Sequence, residues 1–163
     1  MFASCQNDGA LDASKDSMSA EIEMFEQNAA VIERVLADFE AEEDRFFTHF
    51  DEDAYWAATG VNATDSVSRV QIEAVYRSLW EKYDYEMLSE VNLLPGVHPT
   101  TKKLDGSVRG YFEWKFSKPA TDSTDYRSVN LWIYESFDFT PDGKVRFTQV
   151  YGNLEAAYAK LEE

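Results

Sequence analysis

The chain has 163 residues and a formal net charge of -16 at pH 7, from 15 basic and 31 acidic side chains. This length fits one domain with one hydrophobic core, because two halves would each bury too little apolar surface to be stable. The excess of negative charge repels phosphate groups and therefore argues against nucleic acid as a partner.

The first residues of the chain are open to two interpretations. Phe2-Ala3-Ser4-Cys5 resembles the end of a bacterial lipoprotein processing site, with Cys5 as the lipid acceptor and residues 1–18 as a tether. The alternative is a disordered tail with one free thiol, because the basic and hydrophobic regions of a signal peptide are missing. The first interpretation predicts a lipid anchor at the cell envelope and the second a cytoplasmic protein. No segment approaches the ~20 apolar residues of a membrane span, so none is expected.

The domain proper is predicted to cover residues 19–163 and to begin with a long helix. Ser19 suits the N-cap position, and after it apolar residues recur at alternating spacings of three and four up to Glu43. This period places them on one face of a helix. A shorter helical segment at residues 44–51 would direct its three phenylalanines toward the core.

A short strand and a second long helix follow. Residues 55–58 are predicted to form the strand, and residues 60–64 a loop. Ser68 and Gln71 have the spacing of a capping box, in which each side chain bonds the backbone N–H of the other residue. The apolar period after this box predicts a helix up to about Asp84.

From Tyr85 onward the apolar period is that of a strand. Alternating side chains predict long strands at residues 85–93 and 108–116, joined by a connection with two prolines and two glycines. A strand pair near the C-terminus and a short helix at residues 154–161 complete the chain. Helices therefore come first and long antiparallel strands follow, which indicates an α+β fold with helices packed on one face of a curved sheet.

The last strand pair, residues 129–139 and 145–151, is joined by Thr140-Pro141-Asp142-Gly143. Pro141 and Asp142 suit the centre of a type I turn, and Gly143 supplies the left-handed residue of a bulged hairpin. Thr140 should then pair with Lys144, and counting back from this pair gives the register. The pairs predicted on the inner face are Phe139 with Val145, Phe137 with Phe147, Glu135 with Gln149 and Ile133 with Tyr151.

The order of these elements resembles the nuclear transport factor 2-like superfamily, especially its SnoaL-like branch. The resemblance covers residues 19–163, and its best local match is the hairpin from Phe137 to Val145, followed by Tyr151-Gly152-Asn153. It implies a cone-shaped curved antiparallel sheet with N-terminal helices packed in its concave face, which encloses a pocket. Such proteins include steroid isomerases, polyketide cyclases, dehydratases, epoxide hydrolases and proteins that bind without catalysing, so the resemblance leaves the function open.

The ketosteroid isomerase pattern can be compared with this chain position by position. That pattern has a protonated carboxylic acid on the strand before the final turn, and Glu135 lies at or near this place. It also has a general base on the small strand, where this chain has Ala57 and Ala58. A ketosteroid isomerase mechanism is therefore not expected.

Glu135 is the main candidate for chemistry. Among apolar neighbours its carboxylate would lose solvation, which favours the neutral acid and raises its pKa. It would then be an acid poised for proton transfer, with Gln149 as the group that orients it and His49 on the short helix as the base. The alternative is a structural pair in which Gln149 only satisfies the hydrogen bonding of a buried acid.

Aromatic side chains are predicted to line the pocket for a flat apolar ligand, although the same spacing also fits an ordinary core. These residues are Tyr55, Trp56, Tyr85, Trp114, Phe137 and Tyr151. The run Asp51-Glu52-Asp53 has no histidine at ligand spacing and is interpreted as a solvated helix end. Since no nucleotide loop, nucleophile elbow or metal-binding helix motif is present, no cofactor and no metal is expected.

The opposite face of the last hairpin is predicted to be an exposed aromatic patch, with Trp132 and Tyr134 beside Val150 and flanked by Tyr111. Such a patch indicates a partner, and the resemblance implies a homodimer through this outer sheet face.

Two functions remain. The first is a small-molecule binding protein whose apolar pocket is enclosed by the cone-shaped sheet. The alternative is a cofactor-free acid-base enzyme of the isomerase, cyclase or hydratase type, acting on an apolar carbonyl or hydroxyl compound. The first is favoured because the base that usually accompanies the acid is absent.

Overall fold

The computed structural model describes residues 8–57, 59–60 and 65–163. None of the helices in this part of the chain is long and apolar enough to cross a membrane. The elements are α1 (Asp8–Glu40), a 3₁₀ helix (Asp44–His49), β1 (Phe50–Ala57), β2 (Ser66–Ser68), α2 (Arg69–Trp80), β3 (Asp84–Met87), β4 (Asn92–Val97), β5 (Leu104–Lys118), β6 (Arg127–Phe139), β7 (Val145–Tyr151) and α3 (Leu154–Glu162).

The strands form one curved seven-stranded sheet with the order β2-β1-β7-β6-β5-β3, and β4 also pairs with β5. The α+β class is therefore confirmed. The sheet is mixed, because β1 runs parallel to β7 while the other neighbours are antiparallel. β5 is long enough to pair with β3 along one half and with β4 along the other.

The second helix begins as predicted, but the first does not. The Ser68 side chain accepts a hydrogen bond from the Gln71 backbone N–H at 3.5 Å, and the Gln71 side chain accepts one from the Ser68 N–H at 3.0 Å. Ser19, by contrast, lies inside α1, which begins at Asp8. Extending a helix that has already formed is favourable, and a serine inside it costs only about 0.5 kcal/mol. Cys5 lies outside the described residues, so the tether and the lipid anchor stay predictions.

The strand predicted at residues 85–93 is divided into β3 and β4. Between them the Ser89 hydroxyl accepts a hydrogen bond from the Glu113 N–H at 2.9 Å, and this side-chain contact interrupts the backbone pairing with β5. β4 then includes Pro95, which the sequence analysis assigned to a loop. A proline, which has no N–H, is tolerated there because β4 pairs on one side only.

The core lies between the concave face of the sheet and the helices, and aromatic side chains dominate it. The Phe39 ring on α1 lies 4.9 Å from the Tyr85 ring and 5.6 Å from the Trp114 ring, both on strands. It also lies 5.4 Å from the Tyr76 ring on α2. One helix side chain therefore joins the sheet to the second helix.

A bulge changes the register of the last hairpin. The turn itself is as predicted, because Gly143 has a φ of +80° and the Thr140 N–H donates to the Lys144 carbonyl at 2.9 Å. Phe139 pairs with Val145, but Asp138 pairs with Phe147, so β7 contains one residue that β6 does not match. Every later β7 side chain therefore points to the opposite side of the sheet from the one predicted.

Candidate functional site

The concave side of the sheet and the helices enclose a chamber of about 80 Å³. Its wall is apolar or aromatic, and Glu135 is the one charged residue that the described part of the chain contributes to it. The large side chains that line the chamber include Phe39, Trp56, Tyr76, Trp114, Phe137 and Tyr158. A carboxyl group is thus placed in surroundings that solvate its charge poorly.

Glu135 faces the chamber because the odd-numbered side chains of β6 point inward, as predicted. Its neighbours Ile133 and Phe137 are buried, whereas Trp132 on the other side of the strand is 63% exposed. Burial raises the pKa of the Glu135 carboxyl from 4.5 to about 7, and the hydrogen bond from Thr148 opposes this rise. Near neutral pH the protonated and the ionised forms are therefore both populated.

Thr148 takes the place that was predicted for Gln149. The Thr148 hydroxyl, on an almost fully buried side chain, donates to Oε1 of Glu135 at 2.8 Å. Gln149 instead pairs with Ser136 on the outer face, where its Oε1 accepts a hydrogen bond from the Tyr151 hydroxyl at 2.8 Å. The predicted pairing of Glu135 with Gln149 is therefore wrong, and the bulge is the reason.

Two tyrosines from the helices add neutral hydroxyl groups to the chamber wall. Burial, and then the negative charge of Glu135, raise the pKa of Tyr76 on α2. Burial also raises the pKa of Tyr158 on α3, whose hydroxyl lies 3.0 Å from that of Tyr85. Both phenols stay protonated near neutral pH. They are hydrogen-bond donors that carry no charge.

The predicted lining residues are divided between the two faces of the sheet. Tyr55 is 40% exposed and packs on Phe147 at 5.0 Å on the outer face, because Trp56 takes the inward position of β1. Tyr151 is 45% exposed, because the bulge turns it outward and places Val150 in the chamber wall. Tyr85 is buried behind Tyr158 and does not line the chamber. The predicted residues that do line it are Trp56, Trp114 and Phe137.

His49 does not line the chamber. Its Nε2 lies 2.6 Å from Oδ2 of Asp38, a buried residue of α1. Oδ1 of Asp38 accepts hydrogen bonds from Arg45 at 2.9 and 2.6 Å, and these bonds lower the Asp38 pKa despite its burial. Because Asp38 is buried and needs donors, it binds His49 and ties the 3₁₀ helix to α1. The structure thus does not bring His49 together with Glu135.

A second cavity, which we call the outer groove, lies next to the chamber and measures about 680 Å³. One side of it is formed by Ile72, Val75 and Leu79 of α2 together with Val67 of β2. Five residues line both cavities: Trp56, Tyr76, Val150, Leu154 and Tyr158. The chamber and the outer groove are therefore adjacent and have part of their lining in common.

No protein-family model and no curated protein matches this sequence. Solved structures do match it, and several of them are putative polyketide cyclases. The one from Xanthomonas campestris pv. campestris is 14% identical with a TM-score of 0.65, and covers 85% of this chain and 98% of its own. The SnoaL-like one from Shewanella denitrificans OS-217 is 8% identical with a TM-score of 0.63, and covers 83% and 96%.

A third match is a phenazine biosynthesis-related protein from Pseudomonas aeruginosa, 11% identical with a TM-score of 0.61, which covers 86% of this chain and 84% of its own. The chain has the SnoaL-like form of the nuclear transport factor 2-like fold. The predicted resemblance is confirmed at the level of the fold, since identities this low carry no more than that.

On the outer face of this SnoaL-like fold, aromatic rings form a row across three strands. The Tyr134 ring lies 4.8 Å from that of Tyr111 and 5.4 Å from that of Tyr151. The row was predicted with Val150 where the bulge places Tyr151. Tyr111 and Trp132 are 44% and 63% exposed, so an aromatic surface is present and the homodimer stays a prediction.

The acidic run Asp51-Glu52-Asp53, which was interpreted as a helix end, lies in strand β1. The Asp51 carboxylate accepts a hydrogen bond from the Asp53 N–H at 3.0 Å. Nowhere in residues 8–57, 59–60 and 65–163 do three His, Cys, Asp or Glu side chains come together as metal ligands.

Thr148, Val150, Tyr76 and Tyr158 are site residues that the sequence analysis missed. The two tyrosines could have been found, since each belongs to the apolar face of a predicted helix and brings a hydroxyl group to that face. Thr148 and Val150 could not, because the local pattern of β7 does not reveal the bulge.

Thr148→Val is expected to raise the pKa of Glu135 above about 7, by about one pH unit, because a hydrogen bond to a charged group contributes on the order of 1.5–3 kcal/mol. The titration can be followed by NMR on ¹³C-labelled glutamate side chains. Gln149→Leu is the matched control and should leave the titration unchanged. The opposite result would mean that Gln149, and not Thr148, contacts the acid.

Proposed function

We propose that the chamber binds a small apolar molecule with a carbonyl oxygen, and that Glu135 in its acid form donates a hydrogen bond to that oxygen. The observation that carries this proposal is a carboxyl group with a pKa of about 7 in an apolar wall. An unpaired carboxylate in such surroundings costs several kcal/mol, whereas the neutral acid has a proton to donate. The cyclase names of two similar structures agree with a small-molecule site.

The contacts of Glu135 indicate which oxygen meets the ligand. Oε1 already accepts a hydrogen bond from the Thr148 hydroxyl. In the neutral acid the proton therefore belongs on Oε2, which receives no hydrogen bond from the described residues. Trp56 and Trp114 supply apolar surface in the same chamber, and this surface provides most of the affinity while the hydrogen bond orients the ligand.

The pKa near 7 also favours a second function, cofactor-free acid-base catalysis. A group whose pKa lies near the working pH can both give and take a proton. As a carboxylate, Glu135 would remove a proton from the carbon next to the bound carbonyl, and the electron pair of that C–H bond would move to the oxygen. The neutral hydroxyl of Tyr76, on the same chamber wall, would then donate to the enolate oxygen.

We expect 2-octanone to bind saturably at pH 6 and to shift the indole N–H signals of Trp56 and Trp114 in NMR spectra. Above about pH 7 its apparent Kd should rise roughly tenfold per pH unit, because only the protonated fraction of Glu135 binds. In Glu135→Gln the affinity should be the same at every pH, since the amide N–H donates throughout. Trp132, exposed on the outer face, is the internal control and should not shift.

A Kd that is the same at pH 6 and pH 9 in the native protein would contradict the proposed hydrogen bond. The same samples in D₂O separate the two functions. Deuterium that enters the ketone beside its carbonyl with the native protein, but not with Glu135→Gln, would indicate catalysis. Binding without this exchange would indicate a binding protein.

A further inference from the structure

The chamber beside Glu135 is small for a whole ligand. It measures about 80 Å³, whereas sites for small molecules are typically about 300–1,000 Å³, and an engineered cavity that takes benzene measures about 150 Å³. A carbonyl group with its neighbouring carbons fits in the chamber, but a whole ligand of ordinary size does not. A ligand of ordinary size must therefore extend beyond the chamber.

The outer groove lies next to the chamber and supplies the volume that the chamber lacks. Its 680 Å³ lies within the usual range for a small-molecule site, and it shares five wall residues with the chamber. Among the described residues that line it, Glu155 is the only charged one. An apolar group that leaves the chamber past Trp56 and Tyr76 would therefore meet a mostly apolar surface.

The helix on this side has an apolar face that the described part of the chain covers only in part. α2 contains no fully buried residue, although Ile72, Val75 and Leu79 lie on one face of it. Val75 is 46% exposed. Apolar positions in helical register normally pack against a partner, and here the outer groove lies in front of them.

We propose that the ligand has two parts: a compact head with a carbonyl oxygen in the chamber, and a linear alkyl tail that lies in the outer groove along α2. This inference rests on the proposed function, because the head is the group that Glu135 holds. From Ile72 to Leu79 the helix rises about 10 Å, enough for a tail of on the order of eight methylene groups. The ligand class is therefore a medium-chain alkyl carbonyl compound.

The test is a series of methyl ketones of increasing length, 2-pentanone, 2-octanone and 2-undecanone, with the Kd measured at the Trp56 indole signal. Each added methylene group should tighten binding by roughly fourfold until the outer groove is filled. Val75→Asp should weaken binding of 2-undecanone at least tenfold and leave 2-pentanone unaffected. The control is Val70→Asp on the same helix, where the side chain is 78% exposed and does not line the outer groove.

The possible failures are distinguishable. If no ketone in the series binds, the proposed function itself is wrong. If 2-pentanone binds and the Kd does not change with chain length, or if Val75→Asp and Val70→Asp act alike, only the alkyl tail is overturned. A change of oligomeric state in Val75→Asp, with unchanged binding of 2-undecanone, would assign the outer groove to a second copy of the chain and would also overturn the tail.

Discussion

Glu135→Gln is expected to be more stable than the native protein at pH 8, by up to about 3 kcal/mol, and to differ from it by less than about 1 kcal/mol at pH 5. The pKa of Glu135 rises from 4.5 in the unfolded chain to about 7 in the folded protein. The folded state thus holds the proton more tightly, so the free energy of unfolding falls as the pH rises between these two values. Glutamine carries no charge at any pH, and its Oε1 still accepts the hydrogen bond from Thr148.

This difference can be measured by urea unfolding of both proteins at half-unit steps from pH 5 to pH 8. Glu52→Gln is the matched control, because Glu52 is an exposed acid on β1. No stabilisation of this size is expected from it at pH 8, because its side chain is exposed to solvent. If the curves of Glu135→Gln and of the native protein run parallel over this range, the acid does not lie in apolar surroundings.

Phe137→Ala is expected to lower the free energy of unfolding by about 3–5 kcal/mol, and Phe147→Ala by only about 1 kcal/mol. Phe137 is 1% exposed and lines the chamber, so its removal leaves a cavity in the core. Phe147 is only partly buried on the outer face, where its ring packs on that of Tyr55. Chemical denaturation of the two variants measures the difference directly.

Comparing the variants Phe137→Ala and Phe147→Ala also tests whether β7 contains the bulge. In the register predicted from the sequence, Phe137 and Phe147 face each other inside the core, and both truncations would then be severe. Similar large losses for the two variants would therefore argue against the bulge. If Phe137→Ala does not fold, Phe137→Leu and Phe147→Leu allow the same comparison, with an expected loss of about 1 kcal/mol for Phe137→Leu and a smaller loss for Phe147→Leu.

Features that depend on a few neighbouring residues were predicted correctly. The capping box of Ser68 and Gln71 and the turn from Thr140 to Gly143 are formed by residues within five positions of one another. Their hydrogen bonds and dihedral preferences are local, so the sequence specifies them without knowledge of the fold.

The start of the first helix and the parallel pairing of β1 with β7 were not predicted. Nothing in the residues around Ser19 indicates that the helix continues to Asp8, since helix extension depends on cumulative propensity over many residues. The parallel pairing of β1 with β7 joins residues 50–57 to residues 145–149. A contact of this kind depends on how the whole sheet closes over the core, which the local pattern does not encode.

The sequence by itself determined that an acid would lie in the apolar row of β6, because side chains alternate along a strand and only neighbouring residues are needed to see this. The tertiary structure alone decided which side chains contact Glu135. The bulge in β7 exchanges Gln149 for Thr148 and turns Tyr151 outward, and Asp38 draws His49 to α1. These outcomes depend on packing between segments far apart in the chain, whose energies exceed the local preferences that a sequence displays.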